Sequence, residues 1–238
     1  MKLSPSLVAS LLTLFCIGSF TASAADAGAS LPVIAINEIE TKDAKTYSLW
    51  IARNNAIAKS KLGLDNYIRL YVGQSAGKDT GAVFAVIASD SFATMAANDQ
   101  RTEEEPALLE SRSHLNTVRT LGPRVLLKAV RFDGTNAGAW LFNTRIMASD
   151  EAGYLNALND LRKLLDDRGL KDIKINAYRV VAGREAYTHL VSLNAPSSQR
   201  LAAMLDIMVS DPAIGWWIST SAKFRTVVNN GTYREITP

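Results

Sequence analysis

"GLDNYIRLYVGQSAGKDTGAVFAVIASD" occupies residues 63–90, and "GLKDIKINAYRVVAGREAYTHLVSLNAP" occupies residues 169–196, 106 positions later. Both stretches open on Gly-Leu, alternate apolar with polar residues, turn over a glycine, alternate again and end on residues that start helices. Period-two alternation puts successive side chains on opposite faces of an extended chain. Each stretch therefore predicts two strands joined by a turn, at "QSAGKDTG" in the first and at Gly183-Arg184 in the second.

The flanking segments repeat as well. Residues 33–39 have strand character, and Thr41 and Asp43 supply cap chemistry for a helix that ends near Leu62. Its apolar face reads Tyr47, Trp50, Ile51, Ile57 and Ala58, and Gly63 is its stop. Ser89 or Asp90 caps a second helix, a charged connector spans residues 99–114, and a fourth strand covers residues 124–132. "DGTNAG", residues 133–138, then reads as a linker. Beyond it residues 139–147 predict a strand. Ser149, Asp150 and Glu151 cap a helix bearing Leu155, Leu158, Leu161, Leu164 and Leu165, which stops at Gly169. Pro196-Ser197-Ser198 opens a helix with Leu201, Met204, Leu205 and Met208. "SDPAIGWW" ends that helix, and a final strand spans residues 232–236.

Each half thus reads β-α-β-β-α-β, the order of a split βαβ or ferredoxin-like unit. The expected fold class is α+β, with one unit at residues 25–133, a linker at 134–138 and a second unit at 139–238. A ferredoxin-like sheet carries both helices on one face and leaves the other bare. The second copy covers the first, so that the two sheets curl into one barrel with helices outside.

Residues 1–24 read as a cleavable Sec-type signal peptide: Lys2, an apolar run over residues 7–20, and Ala22-Ser23-Ala24 as the cleavage site. The run is short for a membrane span, which needs about 20 residues. Leu14 and Phe15 before Cys16, the one cysteine, are too bulky for a lipoprotein signal. Cleavage removes Cys16, which excludes disulfides, thiolate metal ligands and a thiol nucleophile. It also removes Lys2, leaving 25 of the 26 Lys and Arg against 23 Asp and Glu. Without basic clusters that balance gives no reason to expect nucleic acid or membrane insertion. The expected location is periplasmic or secreted.

The chain resembles the dimeric α+β barrel superfamily in its fused form, and within it NIPSNAP-like domains. The resemblance is carried by the element order, by helix ends at "AAND" and "VSDP" and by "GWW" after the latter. The superfamily includes cofactor-free monooxygenases, haem-degrading and haem-binding enzymes and muconolactone-type isomerases. Membership implies a barrel with a pocket, not a particular reaction.

Strand alternation nominates the residues that face the barrel interior. In the second unit these are Asn143 and Arg145, opposite Trp140 and Phe142; Asn176 and Tyr178, opposite Ile173, Ile175 and Ala177; and His189, on one face with Tyr187 and Val191. The first unit offers Asn37, Tyr67, Arg69 and Tyr71, with Asn37 equivalent to Asn143 at the 106-residue shift. Buried polar groups need partners, and a bound ligand supplies them. The leading reading is an exported barrel that binds a small aromatic or hydrophobic molecule or a protein partner, as a monomeric pseudo-dimer or a homodimer. The alternative is a cofactor-free monooxygenase or isomerase. There Arg145 or Arg69 stabilises an enolate or phenolate, His189 moves the proton and Asn143 orients the reacting group. Haem through His189 is a third reading, and no metal site is expected, because neither of the two histidines sits at ligand spacing from another donor. His114, in the charged connector, is expected at the surface. Trp216 and Trp217, being adjacent, are expected to face different surroundings. No G-x-S-x-G, H-E-x-x-H or phosphate-binding glycine loop is present.

Overall fold

The computed structural model describes residues 31–65, 67–183 and 186–237. The signal-peptide reading and Arg184 of the second turn lie outside the described residues. Eight strands and six helices follow in the order β1 (Val33–Thr41), α1 (Ala44–Leu62), β2 (Arg69–Ser75), β3 (Val83–Ser89), α2 (Phe92–Glu104), α3 (Pro106–Val118), β4 (Arg119–Phe132), β5 (Trp140–Ala148), α4 (Glu151–Asp167), β6 (Lys174–Ala182), β7 (His189–Ala195), α5 (Ser198–Ser210), α6 (Pro212–Ser221) and β8 (Arg225–Glu235).

The strands close into one antiparallel barrel in the order β1-β3-β2-β8-β5-β7-β6-β4. Within each unit the order is that of a ferredoxin-like sheet, and the units join edge to edge through β2–β8 and β4–β6. Closure removes the free edges that two open sheets would expose. The fold is the dimeric α+β barrel, built here from a single chain.

Local chemistry sets the helix ends. Asp43 accepts from the Thr46 amide at 2.9 Å to start α1, and Asp150 accepts from the Gly153 amide at 2.9 Å to start α4. Such caps contribute about 1 kcal/mol each. Gly63 and Gly169 take positive φ, 70° and 74°, as the stops. The N-caps lie 107 residues apart and the glycine stops 106, so the span from cap to stop is one residue longer in the first unit; the helices themselves have 19 and 17 residues.

Two segments depart from expectation for the same reason. The charged connector is helical: α2 runs on to Glu104, and α3 follows with Glu105 as N-cap, accepting from Ala107, and Pro106 as first residue. "SDPAIGWW" likewise starts a helix rather than ending one, with Asp211 accepting from the amides of Ala213 and Ile214 and Pro212 in first position. Proline blocks the helix before it but is preorganised for the first turn of the next. Each unit therefore reads β-α-β-β-α-α-β. Strands β4 and β8 are also longer than expected, beginning at Arg119 and Arg225.

The helices cover the outer face of the barrel. Leu158, Leu161 and Leu165 of α4 are buried against Ile175, Ala177, Val191 and Leu193 of β6 and β7. In the first unit Tyr47 and Ile51 of α1 meet Ile39, Leu70, Val83 and Ala85. Full burial of each such side chain is worth about 1.5–3 kcal/mol. The tryptophans divide as expected. Trp217 is buried and donates its indole N–H to the Ala157 carbonyl at 2.6 Å, while Trp216 is 70% exposed. His114 is exposed on α3 and stacks on Trp50 of α1.

Candidate functional site

The inner face of the barrel encloses a cavity of about 430 Å³. Its apolar wall comes from Ile34 and Ile36 of β1, Phe84 and Val86 of β3, Val125 of β4, Leu141 of β5 and Leu190 of β7. Polar side chains enter at fixed strand positions. Arg69 and Tyr71 come from β2, Asn143 and Arg145 from β5, Asn176 and Tyr178 from β6, and Tyr233 from β8.

Six of the sequence-nominated residues thus meet in one space: Arg69, Tyr71, Asn143, Arg145, Asn176 and Tyr178. Three others do not. Asn37 lies on the helix side of β1, because Ile34, Ile36 and Glu38 take the inner face. The 107-residue cap spacing explains this: Asn143 corresponds to Ile36, and a shift of 106 exchanges the two faces of a strand. Tyr67 precedes β2 and donates to Asp99 of α2 at 2.6 Å, outside the barrel. His189 also faces the helices, since Leu190, Ser192 and Asn194 take the inner face of β7. Its Nε2 lies 2.6 Å from Glu151 Oε2 at the start of α4, and its Nδ1 lies 2.9 Å from Thr188 Oγ1. It turns no ring nitrogen to the cavity, so neither the proton-shuttle role nor haem ligation by His189 fits the cavity.

Two ion pairs are built into the wall. Arg69 donates to Glu235 through Nε at 2.8 Å and Nη2 at 2.5 Å, and Nη2 also reaches the Asn136 carbonyl at 3.0 Å. Arg145 donates to Asp79 Oδ2 at 2.5 Å, and the Tyr233 hydroxyl donates to the same oxygen at 3.2 Å. Burial opposes the charge of both guanidiniums. The Glu235 hydrogen bonds at Arg69, and at Arg145 the electrostatic pull of Tyr233 with the Asp79 hydrogen bond and charge, outweigh it and hold both above the usual arginine range.

Asn176 faces the cavity, but its amide is consumed by the linker: Oδ1 accepts from the Asp133 amide and Nδ2 donates to the Gly134 carbonyl, both at 2.9 Å. Asn194 accepts from the Asn136 amide at 3.3 Å, and Glu235 accepts from the Ala139 amide at 3.0 Å. These contacts tie the linker to the second unit, and the Arg69 hydrogen bond to the Asn136 carbonyl ties it to the first.

Other groups are left open. The hydroxyls of Tyr71 and Tyr178 make no hydrogen bond to any described residue. Burial pushes both phenols well above the ordinary tyrosine value, with Arg69 opposing. Burial also lifts Tyr233 to about 12. Asn143 Oδ1 is buried and has no partner. The cavity therefore presents neutral phenol donors within an apolar wall, an arrangement that holds a small molecule by shape and a few directed hydrogen bonds.

Asp79, Tyr233 and Glu235 were not legible from the sequence. Asp79 sits in the β2–β3 turn, which folds inward where a turn is expected to face water. Two glycines admit that turn. A Cβ at Gly73 would lie 2.1 Å from the Asp79 carbonyl oxygen, and one at Gly231 2.6 Å from Ala76 Cα. A glycine inside a strand marks such close backbone approach, and that was the available signal.

No family model and no curated protein matches the sequence. Among solved structures the chain is similar to a candidate monooxygenase from Lactobacillus acidophilus, with TM-score 0.56 and 9% identity over 87% of this chain and 93% of that one. A candidate monooxygenase from Fusobacterium nucleatum aligns with TM-score 0.53 and 7% identity, over 87% and 92%. A mutant chlorite dismutase from Candidatus Nitrospira defluvii aligns with TM-score 0.50 and 10% identity, over 87% and 92%. At these identities the likeness establishes the barrel fold.

Proposed function

We propose that this barrel binds a small, largely apolar aromatic molecule in its interior, in the periplasm or outside the cell. The observation that carries the reading is a cavity of about 430 Å³ with an apolar wall, lined by Tyr71 and Tyr178, whose hydroxyls bond to no described residue. A ligand oxygen accepting from them would make hydrogen bonds that no described residue makes. Within the superfamily we assign the chain to the NIPSNAP-like group on element order and the helix-end motifs. Native mass spectrometry of the chain from Ala25 onward tests the reading. A discrete added mass in the wild type, lost in the cavity-filling variant Ile36→Trp, supports it. An added mass retained in that variant places the ligand elsewhere.

A second reading, cofactor-free oxygenation or isomerisation, is favoured by the two candidate monooxygenases among the structural neighbours. Arg69 with Tyr71 and Tyr178 would stabilise negative charge developing on a substrate oxygen. Glu38, the cavity carboxylate with no ion-pair partner among the described residues, would take the proton in place of His189. Oxygen uptake with an enolisable aromatic ketone, abolished in Glu38→Gln while binding persists, tests it. Uptake unchanged in that variant rules out Glu38 as the base.

A further inference from the structure

The arginine charges that face the cavity are matched within its own wall: Arg69 is held by Glu235 through two hydrogen bonds, and Arg145 by Asp79. Glu38 and Lys78, the lining charges without an ion pair among the described residues, are exposed to solvent. The buried part of the wall leaves open the neutral hydroxyls of Tyr71 and Tyr178, which bond to no described residue. Tyr71 and Tyr178 occupy corresponding positions of β2 and β6. Both lie within electrostatic reach of Arg69, and Tyr71 lies within reach of Tyr178.

Resting on the pocket reading above, we propose that the occupant is a neutral aromatic molecule with a carbonyl oxygen, received by the hydroxyls of Tyr71 and Tyr178 beside Arg69, and that carboxylates are rejected. A carbonyl oxygen has two lone pairs and can accept from two phenols without any charge being buried. A carboxylate drawn to Arg69 would instead lie against Glu235, which already occupies that guanidinium. Like charges close together in a medium of low polarisability repel strongly, and Lys78, the lining cation without an ion pair among the described residues, is exposed to solvent. The phenols stay protonated, hence donors, because burial outweighs the pull of Arg69.

Three compounds of one shape but different oxygen chemistry decide this: acetophenone, ethylbenzene and benzoate, titrated into isotope-labelled protein and followed by NMR shifts of cavity residues. Acetophenone is expected to bind about tenfold more tightly than ethylbenzene, the scale of one or two neutral hydrogen bonds. Benzoate is expected to bind most weakly. In Tyr71→Phe/Tyr178→Phe, acetophenone should fall to the level of ethylbenzene, whose affinity stays unchanged. Equal binding of acetophenone and ethylbenzene, or tightest binding of benzoate, overturns the carbonyl assignment and leaves an apolar pocket standing. No shift of cavity residues with any of the three overturns the pocket reading and this proposal with it. The wild-type comparison requires no variant, so it stands even if the double substitution affects folding.

Discussion

Tyr71 and Tyr178, 107 residues apart, occupy equivalent strand positions in the two units, and both turn their rings into the shared cavity. Tyr71 pairs with Phe84 of β3, and Tyr178 pairs with Leu190 of β7, the corresponding strand of its own unit. Two open units would expose these rings to water; joining them makes the rings opposing parts of one interior. The duplication thus supplies both closure of the barrel and a matched pair of donors.

Because neither hydroxyl bonds to any described residue, Tyr71→Phe/Tyr178→Phe should leave stability nearly unchanged, within about 0.5 kcal/mol per site. Urea unfolding of the ligand-free protein measures this. A loss of 2 kcal/mol or more, on the order expected for a broken buried hydrogen bond, would mean that the hydroxyls have protein partners.

Asn143→Leu should stabilise the ligand-free protein by about 1 kcal/mol, since it removes a buried acceptor that nothing satisfies. Thermal unfolding checks the sign. A lowered melting temperature would show that the Asn143 carbonyl is already paired.

Asp79→Ala strands the Arg145 guanidinium in the wall and should cost about 2 kcal/mol, below the range for a fully buried pair because Arg145 keeps some access to solvent. The double variant Asp79→Ala/Arg145→Met should recover most of that loss. If the double variant is as unstable as the sum of the single variants, the pair is not coupled.

Glu151 at the start of α4 is held below its ordinary value of 4.5, first by the Arg179 hydrogen bond and then by His189, against the effect of burial. A depressed folded pKa contributes stability above the unfolded value and loses it as pH falls through the folded one. Wild-type stability should therefore decline from about pH 4.5 downward, and Glu151→Gln should flatten part of that decline. Urea midpoints between pH 6 and pH 3 follow it. Parallel curves for the two proteins would mean that Glu151 is not linked to folding.

N-terminal sequencing of the protein recovered from a periplasmic fraction should begin at Ala25. A chain that retains residues 1–24 would contradict the export reading.

Element type and order were legible where one face of a segment is apolar and the other polar. Strand β6 shows this: Ile175 and Ala177 meet the helices while Asn176 and Tyr178 turn inward. Strand β7 is buried along its whole length, so no alternation distinguishes its faces, and His189 was assigned to the wrong one. Asn37 was misplaced because the span from helix cap to glycine stop is one residue longer in the first unit, which reverses strand parity. The Glu105-Pro106 and Asp211-Pro212 pairs mark helix starts that look like ends, because a proline breaks the preceding helix in either case. Asp79 shows the limit of local reading, for its place in the wall depends on Gly73 and Gly231 in strands distant from Arg145 in sequence.

A crystal structure of the chain purified from its native source, at a resolution that distinguishes water from organic density, tests the central claim most directly. Ligand binding predicts continuous density within the barrel, touching the Tyr71 and Tyr178 hydroxyls. A cavity closed by repacked side chains, with both hydroxyls bonded inside the protein, would contradict it.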